Sequence, residues 1–290
     1  MNAHTNSDAK PDLEITSYAT AFIDLLGLSH KLSKLDGIFE ADVREEDILA
    51  TARDSIGAVL KLRRTIDDWF YGYAEKQAAS RPLSVSEQRY WDRVTSPELV
   101  VQFISDSAVL SVRLERDNPE RSMIGVFRLI KACAGASLYL TSLGHPCRGG
   151  VEIGSGCKIS PNEVIGGALV SAHVLESKVA VVPRIVVGDR LQRMLLDVEL
   201  EGTTSSILEA RFARAIRDCL WVDWDDRWII DVLDPLMMDV LEHQVARECS
   251  ERTMAVIQRG LFAALRFGDA DRLKKYLWLD EYARARLRTS

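Results

Sequence analysis

The sequence lacks the short motifs that mark several large protein classes. None of its five cysteines lies in a CxxC pair, and none of its five histidines lies in an HExxH segment. Glycine and proline number only 17 and 8, far below collagen-like usage. These absences argue against a short-motif zinc site and a disulfide framework. We therefore expect reduced thiols, as in the cytoplasm, at the five scattered positions Cys133, Cys147, Cys157, Cys219 and Cys249.

The sequence also lacks long apolar runs and long basic runs. Residues 1–14 are polar and contain no apolar stretch of a secretory signal, so we interpret them as a flexible N-terminal segment. No run approaches the roughly 18 apolar residues that a membrane span requires. The formal net charge is −6, and no long basic run suggests nucleic-acid binding. We expect a cytoplasmic protein that acts on neither membranes nor nucleic acids.

The apolar pattern that is present predicts an α+β fold. Residues 15–24 resemble a strand, 39–77 place apolar residues at helical spacing, and 99–114 form a hairpin about Ser105-Asp106-Ser107. A helix is predicted over 118–143 and a strand over 147–153. Strand, helix, hairpin, helix and strand is the ferredoxin-like βαββαβ order.

The rest of the chain adds mainly helices. Three are predicted over 166–180, 189–198 and 205–218, with a short strand at 184–187, a hairpin at 220–222 and 228–230, and a polar loop at 78–86. Helical sequence resumes at Pro235 with a break at Gly268-Asp269. We therefore divide the chain into a main domain, 15–233, and a helical C-terminal extension, 234–290.

Two acidic residues, Asp24 and Asp106, are candidate functional residues because of their positions in the predicted sheet. Asp24 ends the first strand among apolar neighbours, and Asp106 lies in the turn of the hairpin that would pair with that strand. Neighbouring carboxylates repel, and proteins keep them together mainly to hold a divalent metal or a shared proton. The alternative is structural, with Asp24 as a helix N-cap and Asp106 as a turn former.

The segments around these aspartates carry a family resemblance. AFIDLLG (21–27) and FISDS (103–107) resemble the two metal motifs of class III nucleotidyl cyclases. RGGVEIG (148–154) and IGGALVSAHVLE (165–176) are similar to a strand and a helix start of the same family. AVVPRIVVGD and KYLWLDEY further resemble the pyrimidine cyclases of the bacterial Pycsar anti-phage system. The resemblance covers nearly the whole chain.

This resemblance implies a class III cyclase catalytic domain over 15–233, with a helical insertion after the first strand. It implies two Mg²⁺ or Mn²⁺ ions held by Asp24, Asp106 and the backbone carbonyl of Leu25. The reaction would be that of a lyase, in which a ribose 3′-hydroxyl attacks the α-phosphorus and diphosphate leaves. A homodimer with shared active sites is also implied. The implied nucleotide contacts are Phe22, the backbone of Gly27, Leu28 and Ser29, and the side chains of Gln102, Arg148 and Arg184.

The sequence departs from purine cyclases at three positions. Gln102 stands where those enzymes have a base-reading lysine, and Val170 and Val174 replace an asparagine and a transition-state arginine. Either the chain is an inactive nucleotide-binding regulatory dimer, or it is a cyclase with different contacts. Because both aspartates are intact, we favour the cyclase with different contacts. We predict a uridylate cyclase that makes cyclic UMP from UTP for anti-phage defence, with CTP as the alternative substrate and a separate cyclic-nucleotide-binding effector as reader.

The cationic candidates keep a structural alternative. Arg148 and Arg184 are nucleotide contacts by resemblance, but arginines in such positions more often form ion pairs, with surface acids for Arg148 and in a structural pair for Arg184. Lys178 is a weaker cationic option on the helix after the fourth strand, and Glu163 is a weak base-reading option.

Overall fold

The computed structural model describes residues 14–28, 45–78, 85, 97–201, 207–234 and 243–287. The strands are β1 (Ile15–Leu25), β2 (Leu99–Ile104), β3 (Ser107–Leu114), β4 (Cys147–Ser160), β5 (Glu163–Ile165), β6 (Ile185–Val187), β7 (Leu220–Val222) and β8 (Trp228–Ile230). The α-helices are α1 (Glu45–Ala78), α2 (Pro119–Ser142), α3 (Gly167–Val174), α4 (Asp189–Glu201), α5 (Ile207–Asp218), α6 (His243–Phe267) and α7 (Ala270–Leu287). One turn of π-helix, Leu175–Val179, continues α3.

All eight strands belong to one mixed sheet. Its order is β2-β3-β1-β4-β6-β8-β7, and β5 pairs with β4. The β1 strand is central and runs antiparallel to both β3 and β4, while β4 and β6 are parallel. The first strand therefore lies beside the hairpin, as predicted, and the α+β class is confirmed.

One face of the sheet carries the main hydrophobic core. Because successive strand residues point to opposite faces, β1 directs Ala19, Ala21, Ile23 and Leu25 to one side, and all are fully buried. Helices α1 and α2 pack on this side. Helix α2 is long and apolar enough to cross a membrane, but 94% of the window 122–142 is buried inside the protein. Its apolar surface therefore serves the core.

On the opposite face of the sheet, α3 and its π turn pack against β1 and β4, and Tyr282 of α7 packs against Val186 and Ile229. Helix α3 approaches β4 closely at Gly150, where a Cβ atom would lie 2.4 Å from the carbonyl oxygen of Ala172. Phe22, Val109 and Ala172 form a small buried cluster between the sheet and this helix. Asp24, Ser107 and Arg148 follow this cluster on β1, β3 and β4 and pair across the strands on the same face.

Most predicted elements are confirmed within a few residues. The predicted strand at 147–153 is too short, since β4 continues to Ser160. The break at Gly268 is confirmed, where a φ of 66° separates α6 from α7. The N-terminal segment 1–14, apart from Glu14, and most of the predicted loop 78–86 lie outside the described residues.

Candidate active site

Asp24 and Asp106 meet at one end of β1, as the sequence predicts. Asp24 pairs across the strands with Ser107, whose hydroxyl donates a hydrogen bond to Asp24 Oδ1 at 2.9 Å. The Leu25 amide donates to the backbone carbonyl of Asp106 at 3.4 Å. The tight turn is made by Ser105, which adopts a φ of 55°. The hairpin turn is thus fastened to the end of β1.

Burial dominates the electrostatics of this pair. The Asp24 side chain is 18% exposed, and its burial raises the pKa of that carboxyl above its usual range. The Ser107 hydrogen bond and Arg148 oppose this rise, while the neighbouring charge of Asp106 adds to it. Asp106 itself is buried. A positive group that lies between the two carboxylates would relieve a real electrostatic cost.

The nearest positive group is Arg148, at the start of β4. It pairs with Asp24 in the β1–β4 register, and its Nε donates to Asp24 Oδ2 at 3.4 Å. The same Nε lies 2.6 Å from Oε1 of Glu176. Arg148 therefore belongs to the aspartate site, as the resemblance implies, and shares it with a third carboxylate.

Glu176 and His173 complete this cluster. Glu176 lies in the π turn with its side chain 3% exposed, and its Oε2 lies 3.4 Å from Nδ1 of His173. The His173 imidazole packs against the Phe22 ring, with centroids 4.8 Å apart. Phe22 thus lies at the site, in contact with helix α3.

Gln102 lies farther along the same face. It pairs with Val109 on β3, which pairs with Phe22 on β1, so the three side chains share the face that also carries Asp24. The Gln102 amide oxygen is buried and has no hydrogen-bond partner among the described residues. A buried acceptor is costly when unsatisfied, so Gln102 is a polar residue of this face whose oxygen still lacks a donor in the described part of the chain.

The segment after β1 supports the predicted phosphate contacts only in part. Gly27 has a φ of 79°, a conformation that favours glycine, and a Cβ atom there would meet nothing within 4 Å. Leu25 and Leu28 are buried, which fixes the backbone around the turn. Ser29 lies outside the described residues.

Arg184 is not brought to the aspartates. Its guanidinium lies in an ion-pair cluster with Asp223 and Asp225, and Nη2 also donates to the carbonyl of Val179 at 3.0 Å. The side chain is 5% exposed. The structure therefore places Arg184 in the alternative role that the sequence left open, a structural ion pair.

The two valines that replace polar cyclase residues are exposed. Val170 and Val174 on α3 are 63% and 48% exposed, one helical turn apart on the same helix. Neither can offer a side-chain hydrogen bond, so any polar contact from this helix must come from another position.

No protein-family model, curated protein or solved structure matches the chain.

The donor set of the site suits a hard divalent cation. Carboxylate and carbonyl oxygens are the ligands that Mg²⁺ and Mn²⁺ prefer, and Asp24 keeps free lone pairs beyond its two hydrogen bonds. In the described part of the chain, no group of three or more His, Cys, Asp or Glu side chains converges on a metal position. The candidate ligands at this site are therefore the carboxylates of the two aspartates and nearby backbone carbonyls.

Sequence reasoning missed Glu176 and His173. A signal existed, because Glu176 is an acid two residues after the exposed Val174 in an otherwise apolar helix. Its helical spacing to His173, three residues earlier, also allows an ion pair. What the sequence could not show is that β4 brings Arg148 to the same carboxylate.

Proposed function

We propose that the protein is a pyrimidine nucleotide cyclase that converts UTP, or alternatively CTP, to the 3′,5′-cyclic nucleotide and diphosphate. The observation that supports this most directly is the meeting of Asp24 and Asp106 at one end of β1. The antiparallel order β2-β3-β1-β4, which is the split βαβ arrangement, supports the class III cyclase core.

The sequence-predicted groups at the site each have a role in this proposal. Asp24, Asp106 and the Leu25 carbonyl would hold two Mg²⁺ or Mn²⁺ ions. When bound, such ions lower the pKa of the ribose 3′-hydroxyl and neutralise charge on the triphosphate. Arg148 binds phosphate oxygens, and the amides after the Gly27 turn do the same.

The base would lie over the face that carries Phe22 and Gln102. The unsatisfied Gln102 oxygen can accept from uracil N3–H or from the cytosine amino group. Both pyrimidines meet this requirement, so the choice between UTP and CTP is a question for the assay.

The wider biological context follows from the resemblance. The cyclic nucleotide would act as a second messenger in anti-phage defence and would be read by a separate effector. A homodimer with shared sites is supported by the exposed apolar pair Val170 and Val174 on α3. A cytoplasmic location is supported by the five cysteines, all of which are free thiols.

The test is a product assay with all four nucleoside triphosphates and Mn²⁺. We expect diphosphate and a cyclic product from UTP or CTP, and Asp106→Asn should lower kcat by about 10³-fold, since metal stabilisation of the transition state is worth several kcal/mol. The matched control is Asp226→Asn, a turn aspartate of the β7–β8 hairpin that is exposed. It should keep full activity.

Two results would contradict the proposal. One is the absence of cyclic product from any nucleotide while the protein is folded and binds triphosphate, which would favour the regulatory dimer. The other is an active Asp106→Asn variant, which would remove the two-aspartate assignment.

A further inference from the structure

Glu176 is a buried acid at the site for which the proposed cyclase chemistry has no role. Its side chain is 3% exposed, and burial raises the pKa of its carboxyl, with further increases from Asp24 and Asp106. A third carboxylate beside two others costs stability unless it is compensated. The structure offsets part of this cost by an ion pair with Arg148.

The two oxygens of Glu176 face two different side chains, an arginine and a histidine. Oε1 lies 2.6 Å from Arg148 Nε, and Oε2 lies 3.4 Å from His173 Nδ1. The single Nε–H of Arg148 donates to Asp24, while Glu176 Oε1 forms an ion pair with the same nitrogen and has no hydrogen-bond partner among the described residues. The guanidinium thus faces two carboxylates. Glu176 thus links an arginine on β4 to a histidine on α3.

Among the residues that the structure describes, the hydrogen bond of the Arg148 guanidinium is made by Nε, which leaves the donors of Nη1 and Nη2 for a ligand. The side chain is 28% exposed. Two adjacent amino groups in a fixed plane match the spacing of phosphate oxygens and bind them in bidentate fashion.

His173 is presented in a similar way. Its side chain is 55% exposed, although the Phe22 ring supports one side of the imidazole. With Nδ1 directed at Glu176, Nε2 is left for a ligand, and it donates to a phosphate oxygen when both ring nitrogens carry a proton. His173 directly precedes Val174, the position at which the helix has no polar side chain to offer.

We propose that Glu176 is a positioning residue that holds Arg148 and His173 as a pair of phosphate-binding groups beside Asp24 and Asp106. The ligand is the triphosphate of the proposed nucleotide substrate, so the inference rests on the proposed function for its biological meaning. The pair supplies contacts that Val174 cannot make.

The test is calorimetric titration of inorganic triphosphate, with Mn²⁺ present, into the full-length protein. Positioning predicts that Glu176→Gln weakens binding by about 10- to 100-fold, as is typical when a supporting residue no longer orients a binding group. A merely structural acid predicts the opposite sign, since its neutralisation removes negative charge near an anion. Unchanged or tighter binding would therefore overturn the proposal.

The exposed histidine gives a second variant that does not threaten folding. His173→Gln should weaken triphosphate binding by about tenfold, the equivalent of one charge-assisted hydrogen bond, and His173→Lys should restore most of the loss. Equal affinities for the wild type, His173→Gln and His173→Lys would exclude a contact from this residue.

The matched control is Glu152→Gln on the same strand as Arg148. Glu152 is buried, but its carboxylate accepts from the amides of Leu191 and Ile153 at 2.8 and 2.9 Å, away from the cluster. We expect lower stability and unchanged triphosphate affinity.

The titration separates this inference from the proposed function. If the wild type makes no cyclic nucleotide but Glu176→Gln still weakens triphosphate binding, only the function fails. If the wild type cyclises UTP or CTP and Glu176→Gln leaves kcat, KM and triphosphate affinity unchanged, only the inference fails.

Discussion

Arg184 shows how one buried residue acquires a structural role. Its side chain is 5% exposed and pairs with Asp223, which is 1% exposed, and with Asp225, which is 49% exposed. Its hydrogen bond holds the pKa of the Asp225 carboxyl below its usual range. Asp223 also accepts from the indole of Trp278 at 3.1 Å. Arg184 therefore neutralises a carboxylate that connects the sheet to the C-terminal helices.

We predict that Arg184→Met lowers the free energy of unfolding by about 3–5 kcal/mol, because it leaves the Asp223 carboxylate buried without its counter-ion. Asp225→Asn should cost less than about 1 kcal/mol, since that side chain is half exposed and screened by solvent. Urea unfolding of the two variants measures both values.

The same pair of variants decides between the two roles that the sequence left open for Arg184. A stable Arg184→Met protein with weakened triphosphate binding would show that the residue contacts nucleotide. Lower stability with unchanged affinity in the folded protein would establish the ion pair as its function.

At the scale of elements, the long helix α1 is packed tightly against the core helix α2. A Cβ atom at Gly135 of α2 would lie 2.0 Å from Cδ2 of Trp69 on α1, and Trp69 is buried. The indole therefore lies directly on the glycine backbone. The helical insertion α1 is therefore part of the hydrophobic core beneath β1. This packing restricts movement of α1 relative to the sheet.

A pair of alanine substitutions tests this packing. Gly135→Ala should destabilise the protein by about 1–3 kcal/mol or more, because the indole has no space to move without disturbing the core. Gly57→Ala in α1 should stabilise it by about 0.5–1 kcal/mol, since a Cβ atom there meets nothing within 4 Å and alanine favours the helix. Thermal unfolding measures whether each substitution lowers or raises stability. A Gly135→Ala protein as stable as the wild type would refute the close contact.

The elements that the sequence predicted well are those whose signal is local. The alternation in β1 and the apolar spacing in α1 and α2 fix the type of each element. The β4 strand was underestimated because Gly154 and Gly156 reduce strand propensity. The requirement for glycine at position 156 comes from a residue distant in sequence, because a Cβ atom there would lie 2.7 Å from the Tyr18 ring on β1.

The candidate site was predictable to the extent that it follows from strand order. Asp24 and Asp106 meet because a hairpin pairs with β1, and a βαββαβ pattern implies that pairing. The contacts of Arg148 with Glu176, and of Arg184 with Asp223, join segments whose packing no local pattern specifies. Side-chain roles that depend on such contacts are visible only in the folded structure.

At the scale of the whole molecule, the C-terminal helices share hydrogen bonds with the sheet. The Tyr282 hydroxyl on α7 donates to Asp231, and it accepts from the Leu233 amide at 3.2 Å. Asp231 also pairs with Arg286 at 2.5 Å. Because these groups are buried or nearly so, separation of the helices from the sheet would expose unpaired polar atoms at a cost of about 1–3 kcal/mol each. We therefore expect the two parts to unfold together.

The cysteines supply natural probes of that cooperativity. Cys133 lies in α2, Cys147 in β4, Cys219 before β7 and Cys249 in α6, and all four are buried. Burial raises the pKa of each of these thiols, that of Cys219 to about 12, so they remain protonated and unreactive until the chain opens. Cys157 is the partly exposed thiol.

We predict that native protein reacts rapidly with a thiol reagent at one cysteine, Cys157, and that the other four react together at the rate set by global unfolding. Mass spectrometry of digested samples at successive times identifies each labelled residue. Faster labelling of Cys249 than of Cys133 would show that the C-terminal helices open on their own, since Cys249 lies in α6 and Cys133 in the core helix. Equal rates at mild denaturant concentrations would establish that the polar contacts of Asp231 make the extension and the sheet a single cooperative unit.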